Sequence, residues 1–548
     1  MKRKTILSMP IALLAATALP WAAGAAQTVD SAGTNLIEAA RAPAAGRPNI
    51  IVVLADDMGY SDLGFFGSGI RTPTLDALAR RGLTFTQFYN ESKCTESRAA
   101  LLSGRPHRAV LAPAANGTRT DATLAAEVPT LADLLRAQGY ATFISGKWHL
   151  GEQADLWPNK RGFDRSFSLV TGASSYFEMR MREAQDDPVE SKFWPSKPFM
   201  VRDGQRWPVP ERGFYMTDAI GAQAREMVAS HTAARTGKPF FLYLAYTAPH
   251  FPLHARPKDI ARYRGKFDGG WDAWRARRLS AMKRRGLIPA GAQLAPRPKD
   301  IEPWLTVAGK AEWARRMEVY AAQLEGLDRD LAKLVKQLKA HGEFDNTVIL
   351  FLSDNGAASM SPEAMARDFG YVVPGAVIGT RESNTSYGEP WAAVSNTPLN
   401  DYKQSLYEGG IRTPLIVHWP AGLKRRGMAP MAGQITDILP TALSLAGADR
   451  MPAAVSGANF APWLRGAAAQ PHPLFWAYKR QAAVREGTWK LLSTDGGKSW
   501  RLFDLNADPT EQTDLSAIHP ERAAALRAKW QEWAAGAGKP YGRDKARP

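Results

Sequence analysis

The sequence predicts an α/β domain in which helices flank a mostly parallel β-sheet. Four short runs of apolar, often β-branched residues suit strands that are buried on both faces. Helical patterns lie between these runs, and the repetition of strand, polar loop and helix is typical of a parallel sheet. The four runs are 49–54, 140–144, 240–244 and 347–352, and the helical patterns are 73–81, 130–138 and 313–341.

Polar residues follow each of the four runs. They are Asp56 and Asp57 after the first run, Lys147 and His149 after the second, His250 after the third, and Asp354 and Asn355 after the fourth. In parallel sheets ligands bind beyond the carboxyl ends of the strands, and these ends share one edge. The sequence therefore predicts an active site at that edge.

Two of these groups suggest a metal. Asp56, Asp57, Asp354 and Asn355 would supply four oxygen ligands, which suit a hard cation such as Ca²⁺ or Mg²⁺. Zinc would be expected to recruit His or Cys instead. Each acidic pair taken alone is also typical of a turn or a helix cap. Their joint position after two buried runs favours a hard cation, with Ca²⁺ and Mg²⁺ both open at this point.

The first residues are expected to direct export. A basic start is followed by an apolar run to about Ala18 and by small residues up to Ala26. This pattern predicts a signal peptide over 1–25, followed by a flexible leader over 26–46. The apolar run is too short to span a bilayer comfortably. We therefore expect a periplasmic or secreted protein with no stable membrane anchor.

The remaining chain divides by composition. Residues 47–455 are predicted to form the catalytic domain, and 251–310, rich in Arg, Lys, Trp and Pro, to be an insertion near the site. Residues 456–548 are predicted to form a smaller α+β subdomain. Its runs 475–478, 489–492 and 501–504 suggest an antiparallel sheet, and 520–534 suggests a helix.

Net charge and cysteine usage narrow the chemistry. The formal charge of +17 is compatible with an anionic substrate. No nucleic-acid-binding signature accompanies the charge, so nucleic acid is not an expected partner. Cys94 is the only cysteine, so no internal disulfide can form. An unpaired thiol of this kind serves either as a small buried apolar group or as a reactive group.

The residues around Cys94 favour a reactive role for its thiol. Residues 94–105, from Cys94 through Arg98 to Gly104-Arg105, resemble the signature of the type I sulfatase family, Cys-x-Pro-x-Arg followed by a helix. Five further blocks resemble that family in order, at 49–59, 146–151, 248–253, 352–356 and 403–412, and the stretches 161–164 and 395–398 are most similar to bacterial arylsulfatases. The resemblance implies an alkaline-phosphatase-like fold and hydrolysis of sulfate esters.

The resemblance also implies a division of labour among the residues. Cys94 would be oxidised by a formylglycine-generating enzyme, and a hydroxyl of the hydrated aldehyde would attack sulfur. Asp56, Asp57, Asp354, Asn355 and the modified Cys94 would bind one Ca²⁺ ion. Arg98 would stabilise the diol, Lys147 and Lys403 would hold the sulfate oxygens, His149 would help to regenerate the aldehyde, and His250 would protonate the leaving oxygen.

One position departs from the signature, because Glu96 stands where the family has proline. The modifying enzyme reads this motif in the unfolded chain, so Glu96 leaves open the possibility of a non-catalytic protein that binds sulfated glycans. A phosphonate monoester or phosphodiester hydrolase of the same superfamily is the other alternative. The natural substrate, an aryl or a carbohydrate sulfate, is also open at this point.

Overall fold

The computed structural model describes residues 46–113, 122–177, 198–369 and 375–538. Residues 1–45 and 539–548 lie outside the described residues. They include the predicted signal peptide over 1–25, all but the last residue of the predicted leader over 26–46, and the end of the predicted C-terminal subdomain. Within the described ranges, every helix is too short or too polar to cross a membrane.

Strands and helices alternate through most of the chain. The strands are β1 Asn49–Ala55, β2 Leu83–Tyr89, β3 Leu111–Pro113, β4 Ala122–Leu124, β5 Ala141–Lys147, β6 Arg165–Leu169, β7 Met200–Arg202, β8 Gln205–Trp207, β9 Phe240–Ala245, β10 Thr347–Ser353, β11 Arg412–His418, β12 Gly427–Ala429, β13 Gly433–Gln434, β14 Leu474–Tyr478, β15 Gln481–Glu486, β16 Trp489–Ser493 and β17 Arg501–Asp504. The helices are α1 Pro73–Arg81, α2 Cys94–Ser103, α3 Leu131–Ala137, α4 Met216–Ala233, α5 Pro257–Ile260, α6 Gly270–Arg284, α7 Lys310–Ala340, α8 Pro362–Phe369, α9 Gly388–Ser395, α10 Glu408–Ile411, α11 Ile438–Leu445, α12 Ala461–Leu464 and α13 Pro520–Gly536.

The large sheet is mostly parallel, as the sequence predicts. Its strand order is β12-β2-β11-β10-β1-β9-β5-β6-β7-β8, with β13 pairing to β2. The five central strands from β10 to β6 run parallel. Antiparallel pairings flank this centre, from β10 to β11 on one side and from β6 to β7 on the other. The predicted α/β fold class is confirmed.

Both faces of the central strand are covered by helices. Ile51 and Val53 of β1 belong to the same core as residues of α1, α4 and α7, whereas Val52 faces residues of α2, α3 and α11 on the opposite side. Alternate side chains of a strand point to opposite faces, so a strand covered on both faces reads as a continuous apolar run. Full burial of each such side chain contributes roughly 1.5–3 kcal/mol.

The C-terminal region carries the predicted antiparallel sheet. Its strand order is β14-β15-β16-β17, and all three pairings are antiparallel. α13 packs on this sheet through Leu526 and Trp530. The sequence did not single out β15, because its run Gln-Ala-Ala-Val-Arg-Glu contains a single β-branched residue.

The segment 251–310 contains two helices, α5 and α6, and packs into the molecule. Trp271 and Arg278 of α6 are fully buried. Arg278 donates a hydrogen bond of 2.7 Å to Asp62, which lies in the loop after β1. Tyr320 of α7 donates to the other carboxylate oxygen of Asp62 at 2.6 Å. These contacts support the loop that presents Asp56 and Asp57.

Candidate active site

The predicted site residues come together at one edge of the sheet. β10, β1, β9 and β5 are successive parallel neighbours, so their carboxyl ends meet there. Asp56 and Asp57 follow β1, Asp354 and Asn355 follow β10, Lys147 ends β5 and His250 follows β9. Cys94 and Arg98 reach this edge from α2, and Lys403 comes from the loop before α10.

The acidic residues form a compact, buried group. The backbone N–H of Asp57 donates to Oδ1 of Asp354 at 3.2 Å, and Nδ2 of Asn355 donates to Oδ1 of Asp57 at 2.6 Å. One ligand atom from each of Asp56, Asp57, Cys94 and His250 lies within 4.8 Å of the others. Asp57 adopts a φ of 65°, which turns the chain sharply at the end of β1.

Cys94 is the first residue of α2 and faces this group. Its Sγ is 3.5 Å from Oδ1 of Asp56 and 3.9 Å from Oδ1 of Asp57. The ammonium of Lys403 lies 3.1 Å from the sulfur. Burial, with the negative charge of Asp354, raises the pKa of the Cys94 thiol to about 12. An unmodified Cys94 is therefore protonated at neutral pH and is a weak nucleophile.

Three cations face the three carboxylates, of which Arg98 and Lys147 are buried and Lys403 is half-buried. Arg98 donates to Oδ2 of Asp354 from Nε at 3.0 Å and from a terminal nitrogen at 2.8 Å. Lys147 lies 2.7 Å from Oδ2 of Asp56, and Lys403 lies 2.5 Å from Oδ1 of Asp57.

These pairs move the pKa values of the site. Burial by itself raises the pKa of Asp56, but Lys147 and the other neighbouring positive charges reverse this and lower it well below its usual range. Burial also opposes the charge of Lys403, yet Asp57 raises the pKa of that ammonium well above its usual value. Asp354 differs, because burial and repulsion by Asp56 raise its pKa to about 6.

The two histidines occupy different positions. Nε2 of His250 is 3.4 Å from Oδ2 of Asp57, and Nδ1 is 2.5 Å from the carbonyl oxygen of Phe251. Burial lowers the pKa of His250 below its usual value. His149 is half-buried, with its two ring nitrogens 3.5 and 3.4 Å from the hydroxyl of Thr95. His149 therefore lies against the first turn of α2, next to position 94.

The oxygen donors fit a hard cation. Among the described residues, Oδ2 of Asp57 and Oδ1 of Asn355 are buried and accept no hydrogen bond. Buried acceptors without a donor are costly, and a cation would satisfy both. Carboxylate and amide oxygens suit Ca²⁺ or Mg²⁺ better than zinc. The residues present therefore fit the predicted cation.

Glu96, which departs from the family signature, is also part of this region. Its side chain is buried, and its Oε1 lies 3.5 Å from the ammonium of Lys93. The nearby C-terminal sheet contributes Tyr478, whose hydroxyl donates to Oε1 of Gln404 at 3.3 Å. Thr95, Gln404 and Tyr478 were not predicted as site neighbours. Thr95 and Gln404 lie inside the blocks that resemble the family but are not residue types that mark a site by themselves, and Tyr478 reaches the region only through tertiary structure.

The fold and the site define a class of protein. A parallel sheet whose edge gathers oxygen donors, cations and a residue at a helix start is suited to hydrolysis of an anionic ester. The positive side chains can hold ester oxygens, and the buried position 94 faces them.

Comparison with known proteins gives the family. The Sulfatase family model matches residues 48–448, so the chain belongs to the sulfatase family, whose members are sulfuric ester hydrolases. A model described as N-sulphoglucosamine sulphohydrolase, C-terminal, matches residues 400–532. The predicted membership of the type I sulfatases and the predicted enzyme class are confirmed.

Individual relatives agree with this assignment. An arylsulfatase of Klebsiella aerogenes is 33% identical over 442 residues, which cover 76% of this chain and 91% of that protein. An uncharacterized sulfatase of Schizosaccharomyces pombe is 32% identical over 533 residues, which cover 90% of this chain and 94% of that protein. The crystal structure of Ps i-CgsB in complex with k-i-k-neocarrahexaose superposes with a TM-score of 0.68 at 27% identity, covering 91% of this chain and 96% of that one.

Proposed function

We propose that the protein hydrolyses aryl or carbohydrate sulfate esters to an alcohol and inorganic sulfate. In this proposal the nucleophile is the hydrate of a formylglycine formed from Cys94, and one Ca²⁺ ion is bound beside it. The observation that carries the proposal is the position of Cys94, whose sulfur contacts Asp56, Asp57 and Lys403 at one buried point.

The charge balance of the site supports an anionic substrate. Three carboxylates, of Asp56, Asp57 and Asp354, face three cations, of Arg98, Lys147 and Lys403. A divalent cation added to this balanced set leaves an excess of positive charge. A sulfate ester reduces that excess, and the sulfate dianion that leaves after hydrolysis compensates it fully. The site is therefore complementary to the charge that develops during the reaction.

Ca²⁺ would be held by Asp56, Asp57, Asp354, Asn355 and the modified position 94, and when bound it would withdraw electron density from a sulfate oxygen. Lys147 and Lys403 hold the other sulfate oxygens in this proposal, where their charge stabilises the transition state. Arg98 is fixed by Asp354 and by the carbonyl oxygen of Lys147 at 2.9 Å. In this proposal the anchored guanidinium stabilises the hydrate at position 94.

The histidines move protons in this proposal. His250 protonates the leaving oxygen, and an anionic ester next to it would raise the pKa that burial lowers. His149 accepts the proton that must leave position 94 when sulfate is released. Its contact with Thr95, the residue after Cys94, supports that role.

The expected partners follow from this chemistry. The similar structure of Ps i-CgsB is a complex with k-i-k-neocarrahexaose, and this bound oligosaccharide supports a glycan sulfate as one proposed substrate class. A formylglycine-generating enzyme is the partner required for maturation. Export to the periplasm or the medium would place the enzyme where such glycans occur.

Turnover tests the substrate class. Purified protein is assayed with an aryl sulfate and with an aryl phosphodiester that share one leaving group. The proposal predicts a higher kcat/KM for the sulfate. Faster cleavage of the diester would instead identify a phosphodiesterase.

Glu96 favours one other candidate function, a non-catalytic protein that binds sulfated glycans. Its carboxylate is buried beside position 94, where the family signature has proline. Binding of a sulfated oligosaccharide without turnover, by protein whose Cys94 is unmodified, would support this candidate over the enzyme.

A further inference from the structure

The imidazole of His149 is contacted on two sides, by Thr95 and by Gly172, and the predicted division of labour assigned neither residue a role. On one side is the hydroxyl of Thr95, which lies 3.4–3.5 Å from both ring nitrogens. On the other side is the Cα of Gly172, in the loop that follows β6. A methyl group added at Gly172 would lie 2.6 Å from Nε2 of His149, 2.9 Å from Cε1 and 3.2 Å from Cδ2. The imidazole therefore fills the space that a side chain at position 172 would occupy.

The backbone explains why Gly172 is at this place. The N–H groups of Trp148 and His149 donate to the carbonyl oxygens of Leu169 and Val170, at 2.8 and 3.2 Å. These bonds tie the loop after β5 to the loop after β6. His149 itself has a φ of 57°, a conformation that non-glycine residues adopt rarely. The backbone of His149 is therefore fixed by these bonds, and in this conformation its ring points at Gly172.

We propose that Gly172 is a positioning residue for the sulfatase reaction: its missing side chain lets the His149 imidazole rest between Gly172 and Thr95 at a set distance from position 94. This inference rests on the proposed function, in which His149 accepts a proton from position 94. Thr95 is the residue after Cys94, so its contact fixes the ring relative to the helix that carries the nucleophile. Small displacements of a proton acceptor are costly, because proton transfer requires hydrogen-bond distance.

Gly172→Ala tests the proposal with a minimal change. The φ of Gly172 lies outside the left-handed range, so alanine is compatible with its backbone. Position 172 is distant from residues 94–98 along the chain, so the change leaves the sequence of the maturation motif intact. The matched control is Gly536→Ala in α13, where an added methyl group meets nothing within 4 Å.

The expected result is a fall in kcat of about 100-fold for Gly172→Ala, with KM little changed, since misplacement by about 1 Å can have that effect. The melting temperature should stay near that of the wild type, and Gly536→Ala should behave as the wild type. In a His149→Ala background, Gly172→Ala should cause no further loss, because the added methyl group then meets no ring. An equal loss in that background, or an unchanged kcat in the single variant, would overturn the proposal.

A spectroscopic readout separates this inference from the proposed function. The imidazole ¹H–¹⁵N signals of His149, assigned by their loss in His149→Ala, should shift in Gly172→Ala and stay in place in Gly536→Ala. Unshifted signals would refute the positioning role even in protein that turns over no sulfate. Wild-type turnover by His149→Ala would refute the proton-acceptor step alone. If Gly172→Ala does not fold, the double variant with His149→Ala should fold, and its failure to do so would also overturn the proposal.

Discussion

Replacement of Lys403 by alanine should abolish most of the turnover and leave the fold intact. The ammonium of Lys403 lies 2.5 Å from Oδ1 of Asp57 and 3.1 Å from Sγ of Cys94, so it faces the place where sulfate oxygens are expected. Loss of one preorganised donor in a buried site costs roughly 100- to 1000-fold in kcat, or about 2.7–4 kcal/mol.

The expected cost in stability is smaller. The side chain of Lys403 is 12% exposed, and Asp57 keeps its hydrogen bond from Nδ2 of Asn355 in the variant. A lost hydrogen bond to a charged group costs about 1.5–3 kcal/mol. In a chain of 548 residues that corresponds to a fall in melting temperature of a few degrees.

The assay is steady-state hydrolysis of an aryl sulfate, together with thermal unfolding of the same preparations. Lys529→Ala is the matched control. It removes the same charge from α13, where Lys529 forms an exposed ion pair with Glu486 of β15. A kcat for Lys403→Ala within about threefold of the control would refute the sulfate-holding role. Loss of folded protein would show that Lys403 serves mainly to neutralise Asp57.

Three further predictions concern maturation, pH and metal. Glu96→Pro should raise the converted fraction of position 94, measured by peptide mass, without unfolding the protein. Position 96 lies in the first turn of α2, before the bond that Ser97 donates to Lys93, and proline is tolerated in the first turn of a helix. An unchanged converted fraction would show that Glu96 does not limit maturation. Burial raises the pKa of Glu511 from 4.5 to about 7. The folded protein therefore holds this proton more strongly than the unfolded chain does. The contribution of Glu511 to the free energy of unfolding should fall as pH rises from about 5 to about 8. Glu511→Gln should reduce the decline in melting temperature over that range, and an identical pH profile would contradict this. Removal of divalent cations with a chelator should lower both kcat and melting temperature, and Ca²⁺ should restore both; a chelated protein with full activity would exclude the proposed metal.

Much of the fold could be predicted because parallel strands leave a strong local signal. The run over 49–54 is continuously apolar, and the structure covers both faces of β1. The helix predicted over 73–81 matches α1 in full, and Thr130 caps α3 with a reciprocal bond to Asp133. The edge of the sheet could be predicted as well, because strand ends are visible in the sequence.

The support around the site could not be predicted in the same way. The contact of Gly172 with His149 depends on two loops that meet only when β5 and β6 pair. The buried Lys490, with Glu408 and Glu511 at 2.9 and 2.8 Å, joins three distant segments and has no local pattern. Such contacts arise from tertiary structure, whereas sequence patterns report mainly on neighbours along the chain.

The mass of the tryptic peptide 94–98 tests the central claim most directly. Cleavage after Lys93 and Arg98 releases this peptide, which contains the only cysteine. Conversion of the thiol to the aldehyde replaces one sulfur and two hydrogens by one oxygen and lowers the mass by about 18 Da. For active protein purified from its own host, the proposed function predicts the lighter peptide. Active protein that contains only the unmodified thiol at Cys94 would contradict the account.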